Sequence, residues 1–358
     1  MIPSEIIPVA TELLAMTEPF IVEGPPAIAK TDSIKQAMSA VGIKPENQVI
    51  FHPAVMDPTD VKGLGCLIDG GAEFVPFGKF KKLVDATEPT CAFFDDMGHG
   101  TQTVQASLMQ LFLERSCGAT ALPPCVSLCG ATNRKVDNAG VKSLIQPLIS
   151  RLTILSMEVT DSFVEDWVRW AFQNDMPAEI ISFIRFRPKL LWDWNPQHKD
   201  STGNTLVNQP LPRTVATVGR LWARGDKGNE SAKVLRRHDV IAGAAGENFA
   251  TEFLGFIALM EQLGDLPLRI TKGQANGVDC PSDPSVLYAL TGSLARWAGN
   301  DPSTLPNIAK WCRGYLPPEF QLRLLQDGET QHGEKFTNTT DFIDWSLEAN
   351  KFFQKEVF

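Results

Sequence analysis

Short apolar runs of strand length punctuate the first 160 residues: PFIVEG (19–24), QVIFHPAV (48–55), CAFFDD (91–96), VSLCGATN (126–133) and LTILSMEV (152–159). Each leads into a turn or a polar segment. Between them lie helical patterns, among them TDSIKQAMSAVG and TVQASLMQLFLERSCG. In the second, Val104, Leu108, Leu111 and Phe112 recur at helical spacing and Gly118 closes the run. Strands alternating with helices predict a parallel sheet covered on both faces. After about residue 160 the strand pattern fades. VEDWVRWAFQND, PAEIISFIRF, RTVATVGRLWARG, GENFATEFLGFIALMEQLG, PSVLYALTGSLARWAG and TLPNIAKWCRGY all repeat apolar residues at three and four, punctuated by Gly, Pro or Asn. The predicted plan is an α/β domain over 1–159, a helical region over 160–326, and a polar tail over 327–358 that ends in the amphipathic FIDWSLEANKFFQ. The stretch 195–212 is the long-loop candidate.

Composition narrows the class. Hydrophobic residues at 43% and charged residues at 21% are a globular balance. The net charge of -9 argues against a protein that coats nucleic acid, which needs basic surface. The apolar windows are too short to span a bilayer. No basic start followed by an apolar stretch is present. The seven cysteines are scattered without a CxxC pair, so they read as structural thiols in a reducing cytoplasm rather than zinc ligands.

The chemistry gathers at strand ends. EGPPAIAKT (23–31) has the spacing of a phosphate loop, G-x-x-x-x-G-K-[ST], between a strand and a helix. Gly24, Lys30 and Thr31 are in place; Ala29 stands at the second glycine. The loop Gly24, Pro25, Pro26, Ala27, Ile28, Ala29, Lys30, Thr31, Asp32 is the candidate cofactor site. Its backbone would cradle phosphate, Lys30 would reach the outer phosphates, and Thr31 would supply a hydroxyl to a metal. If position 29 needs a positive φ, alanine there costs on the order of 1–3 kcal/mol. An ordinary strand–turn–helix is the plain alternative.

CAFFDDMGHG places Asp95 and Asp96 at the end of an apolar strand, where ligands of open parallel sheets bind. Asp95 would hold magnesium through water and Asp96 would align attacking water. A helix cap, or a metal site with His99 as third ligand, are the alternatives. Asn133 closes the next strand and can bond a terminal phosphate or its water. Arg151 precedes the fifth strand and Arg213 opens a later helix; arginines stabilise charge on a transferring phosphoryl group, sometimes from a neighbouring subunit. Each could instead be a turn asparagine or a surface arginine.

The order of these five elements resembles AAA+ ATPases, and the MoxR-like branch in particular. The resemblance is carried by EGPPAIAKT, MDPTDVKGLG (56–65), CAFFDDMGHG, the segment 107–153 and LPRTVATVG, and runs on through FIRFRPKLLWDWNP. It implies a P-loop nucleotide domain with a parallel five-stranded sheet, an all-helical lid and a further helical region. It implies ATP or ADP with Mg2+ as cofactors. It also implies roles: Lys30 and Thr31 as the loop pair, Asp95 as the magnesium-side acid, Asn133 and Arg213 as sensors, and Arg151 as the finger reaching a neighbour's nucleotide. RSCGATALPPC would form a hairpin facing a pore. Members resemble hexameric ring chaperones that remodel proteins and often work with a von Willebrand factor A domain partner. Two positions depart from the pattern: Ala29, with Ala27 before it, for glycine, and Asp96 for glutamate. A carboxylate one methylene shorter sits farther from the water, and errors near 1 Å cost roughly 100-fold in rate. A slow ATPase and a subunit that binds nucleotide without turnover, or not at all, both remain open.

Other features read plainly. GLGCLIDGG (63–71) lacks GxGxxG spacing and reads as a flexible insertion. Arg224, Lys227, Lys233, Arg236 and Arg237 read as a solvated face or subunit contact. A DNA-acting AAA+ machine is the alternative there. Trp192 and Trp194 read as a packing anchor.

Overall fold

The computed structural model describes residues 1–68, 71–137, 144–199, 203, 206–225 and 230–354. The chain divides into two compact units, Met1–Phe163 and Val164–Phe358.

The first unit carries strands β1 (Phe20–Gly24), β2 (Gln48–Phe51), β3 (Leu64–Ile68), β4 (Gly71–Val75), β5 (Thr90–Phe94), β6 (Ser116–Cys117), β7 (Thr120–Ala121), β8 (Val126–Asn133) and β9 (Thr153–Ser156). Its helices are α1 (Pro3–Ala15), α2 (Lys30–Ala40), α3 (Pro58–Lys62), α4 (Gly78–Val84), α5 (Gln102–Glu114) and α6 (Gln146–Ile149). Five strands form one parallel sheet in the order β2-β5-β8-β1-β9. The central strands are apolar on both faces because both are covered. Ile21, Phe51, Phe94 and Leu128 share a core with Val104, Leu108, Leu111 and Phe112 of α5. On α1, Ile6, Ala10 and Leu14 are buried; on α2, Ile34, Ala37 and Met38. The two helices pack on each other, α1 against β8 and α2 against β1.

Several elements differ from the sequence expectation. Helix α1, on which the sequence pattern gave no expectation, forms with Pro8 inside it. The run 48–55 gives a strand only to Phe51, because Pro53 opens a helical turn. Helix α5 starts on Thr101, whose hydroxyl accepts from Val104 N at 3.3 Å. It stops at Glu114 rather than at Gly118. Arg115 turns left-handed, and Gly118 sits in the β6–β7 hairpin at φ +58. The expected flexible insertion at 63–71 is corrected: β3 and β4 pair as an antiparallel hairpin. Leu67 is 85% exposed and Phe74 56%, so no buried face imposed the alternation that marks a strand in sequence.

The second unit is helical: α7 (Asp161–Gln173, starting at the end of the first unit), α8 (Ala178–Phe186), α9 (Pro212–Gly225), α10 (His238–Ala245), α11 (Glu247–Gln262), α12 (Leu266–Thr271), α13 (Pro284–Asn300), α14 (Leu305–Tyr315), α15 (Pro318–His332), α16 (Glu334–Thr337) and α17 (Thr340–Gln354). Phe183, Phe249, Phe253 and Trp222 form an edge-on aromatic core. Residue 327, where the polar tail was expected to begin, lies inside α15 and is buried. Trp345 of α17 is wholly buried and donates to Gln321 Oε1 at 2.9 Å. Residues 193–199 and 206–211 carry neither helix nor strand, while most of 200–205 and Lys227 lie outside the described residues.

Candidate nucleotide site

The site is built where β1 and β8 end side by side, Gly24 opposite Asn133. A Cβ on Gly24 would stand 2.6 Å from Met157 O, so only glycine lets the chain leave β1 on this path. The loop then carries two left-handed alanines, Ala27 at φ +59 and Ala29 at φ +71. Position 29 therefore does need a positive φ. Two alanines in this region store strain of about 1–2 kcal/mol each. Between them Ile28 is fully buried and anchors the loop.

Ala29 caps α2 without a side-chain bond, and the first bond into the helix is Ser33 N to Ala29 O. The amides of Lys30, Thr31 and Asp32 thus open the helix, where backbone N–H groups and the dipole favour an anion. Asp32 is exposed in that first turn, Pro25 is buried and Pro26 partly buried.

Lys30 is buried, 7% exposed. Its Nζ donates to Gly24 O at 3.0 Å, Pro25 O at 2.6 Å and Asn133 Oδ1 at 2.7 Å. Burial lowers its pKa to about 8, against the opposing pull of Asp96, Asp95 and Asp137. Thr31 Oγ1 donates to Asp95 at 3.0 and 3.2 Å. Burial raises the Asp95 pKa, while the Thr31 bond opposes it. Asp96 is left-handed at φ +55, a conformation aspartate tolerates. It is half exposed, and His99 Nδ1 lies 3.9 Å from its Oδ1. Among the described residues no three His, Cys, Asp or Glu are grouped to hold a metal, so Asp95, Asp96 and His99 do not form a three-ligand site.

The residues present suit a phosphate with a hard cation: an ammonium and helix-opening amides for the anion, a hydroxyl and a carboxylate for the metal. Lys30, Thr31, Asp95 and Asn133 are joined by hydrogen bonds, with Asp96 next in chain. Arg151 is not among them. It stands two residues before Thr153, which pairs with Phe20, so it lies at the opposite end of the sheet, about 13 Å or more from Gly24. Its guanidinium donates to Pro147 O and to Ser150 Oγ. Arg213 is exposed in the first turn of α9 in the second unit.

Two contributors were missed in sequence. His52, which follows β2, lowers the Asp95 pKa electrostatically, and Asp137 acts on Lys30. Arg134 clamps Asp137 with two bonds at 2.9 and 3.0 Å. His52 ends an apolar strand at the sheet's ligand edge, and that position was its signal. Within the basic stretch, Arg236 donates to Trp222 O at 3.0 and 3.1 Å, and Arg237 pairs with Asp239 at 2.7 Å on the surface.

The strand order, with a loop and helix after β1, the neighbour of the middle strand β8, defines the class: a parallel α/β sheet whose strand–loop–helix has phosphate-loop geometry, followed by helices. No family model matches the chain, and no curated protein matches it. Among solved structures, a point mutant of RuvB from Thermotoga maritima is similar at 18% identity and TM-score 0.40, over 82% of this chain and 80% of that one. NtrX from Brucella abortus in complex with ATP is similar at 10% identity and TM-score 0.39, over 92% of this chain and 68% of that one. No helix among the described residues is long and apolar enough to cross a membrane.

Proposed function

We infer that the chain binds ATP or ADP with Mg2+ on the loop 24–31 and is a MoxR-like AAA+ ATPase of slow turnover. One observation carries this: the Lys30–Asn133 and Thr31–Asp95 bonds join the loop to two strand ends at the ligand edge of the sheet. When bound, the magnesium nucleotide supplies the phosphoryl group and neutralises its charge. The chain's own groups bind and orient. Lys30 and the amides opening α2 hold the phosphates. Thr31 and Asp95 would hold the metal, which would supply positive charge to the phosphates. Asp96 and Asn133 would orient the attacking water. Arg151, remote from its own loop, serves a neighbour in a hexameric ring, and Arg213 belongs to the lid. The domains are then a nucleotide domain over 1–159 and a lid with further helices beyond it. The work done is remodelling of a partner protein in the cytoplasm, with a von Willebrand factor A domain protein as companion.

A second reading is a scaffold that keeps the fold without turnover. It is favoured by the two left-handed alanines and by the three protein acceptors that already satisfy Lys30. Calorimetry with magnesium ATP and ADP on wild type and Lys30→Ala separates them, followed by phosphate release. Binding lost in the variant, with release from wild type, supports the ATPase. Binding without release supports the scaffold. No binding, by protomer or assembly, sinks the nucleotide reading.

A further inference from the structure

Gln105 of α5 is wholly buried, although its side chain is polar at both ends. A buried amide costs free energy unless it is bonded, so its partners matter. Its Nε2 donates to Gly100 O at 3.2 Å, and its Oε1 accepts from Ile145 N at 3.0 Å. One partner is an acceptor and the other a donor, so chemistry fixes which way the amide points.

The two partners belong to segments that the nucleotide reading uses. Gly100 ends the helical turn after Asp95 and Asp96: His99 N donates to Asp96 O at 2.9 Å, and Gly100 N to Met97 O at 3.1 Å. Ile145 caps α6, and Leu148 N and Ile149 N donate to its carbonyl at 3.0 and 3.2 Å. Arg151 follows α6. Its backbone N donates to Leu148 O at 3.2 Å and its guanidinium to Pro147 O. A run of hydrogen bonds therefore leads from Asp96 to Arg151, and Gln105 supplies the two that cross between the segments. The segments are not equally firm. The acidic turn grows from β5, which is paired on both sides, with β2 and β8. Helix α6 has four residues, too few to hold its own shape in water. It is seated by Leu148, which is wholly buried, and by the Gln105 bond at its cap. Without that bond the start of the segment that leads to Arg151 is released.

We propose that Gln105 is a positioning residue for phosphoryl transfer: it sets α6, and with it Arg151, against the turn that carries Asp96. This role rests on the nucleotide reading and on Arg151 serving a neighbour. It deepens that reading, because one buried side chain then ties the acid that a subunit keeps to the arginine that it lends. Gln105 acts through Arg151 and not on the nucleotide.

The test uses the full chain. Gln105→Met keeps the length of the side chain and removes both bonds. Ile145→Pro removes the N–H alone, and the φ of -69 at this position is already that of proline. Each should leave the affinity for magnesium ATP within about twofold and lower phosphate release about tenfold, since misplacing a catalytic group by near 1 Å costs up to roughly 100-fold. Gln105→Met combined with Arg151→Ala should release phosphate no more slowly than Arg151→Ala, because the loss acts through that arginine. In mixed assemblies Lys30→Ala subunits should restore release to Gln105→Met subunits, since they lend an intact arginine. Absence of phosphate release from the wild type overturns the ATPase reading and the role of Gln105 together. Release from the wild type, with a Gln105→Met defect that multiplies with that of Arg151→Ala or that Lys30→Ala subunits do not restore, overturns the role of Gln105 alone. Release by Gln105→Met equal to that of the wild type does the same. If Gln105→Met does not fold, the same comparisons on Ile145→Pro decide.

Discussion

Lys30 Nζ and Asn133 Oδ1 meet at 2.7 Å across 103 residues of sequence. The bond joins the helix-opening lysine to the end of the adjacent strand and holds the loop against the sheet. Asn133→Ala should cost about 1.5–3 kcal/mol, as for a bond to a charged group. Asn133→Asp should raise the melting temperature of the ligand-free protein while weakening nucleotide binding, because the added charge attracts Lys30 and repels phosphate. Scanning calorimetry and titration calorimetry read the two effects, and a parallel change in both would contradict this arrangement.

Ala27 and Ala29 are strained at positive φ. Glycine at either position relieves the strain but adds freedom to the unfolded chain. The expected net gain is about 0.5–1 kcal/mol for each, seen as a higher melting temperature. Unchanged or lower stability would mean that the loop does not hold this shape in solution.

Lys30 also gives a pH signature. Its pKa falls from 10.5 to about 8 on folding, so the unfolded chain binds more protons between those values. Stability contributed by this group therefore rises as pH climbs through about 8 toward 10.5. In magnesium-free, nucleotide-free buffer, the urea midpoint of wild type should gain on that of Lys30→Met over this window. A constant difference between the two would contradict the depressed pKa.

Arg151 lies at the far end of its own sheet, so under the proposed role at a neighbour's site Arg151→Ala should leave nucleotide binding intact and reduce phosphate release at least tenfold. In the proposed ring, mixing it with Lys30→Ala subunits should restore release, since one interface then carries both groups. Equal loss in a protomer that cannot assemble would assign the effect to folding.

In the helical unit Arg185 pairs with buried Asp327 and, at 3.2 Å, with Glu165. Breaking a buried pair strands a charge, so Asp327→Ala should cost about 3–5 kcal/mol. Denaturant unfolding measures it. A cost below 1 kcal/mol would mean that water reaches the pair.

The strands of the parallel sheet and most helices were legible because burial writes its period into the chain. The runs ending at Gly24, Asp95–Asp96 and Asn133 were apolar on both faces, and polar residues followed at one sheet edge. Where burial was absent, so was the signal: the β3–β4 hairpin exposes Leu67 and Phe74 and reads as loop. Sequence alone determined which residue types stand at the strand ends and in what order. Tertiary structure alone decided that Ala29 is left-handed, that Lys30 bonds Asn133 and that Arg151 lies away from them. Those relations depend on backbone angles and on which strands and helices become neighbours, and packing sets both after distant parts of the chain have met.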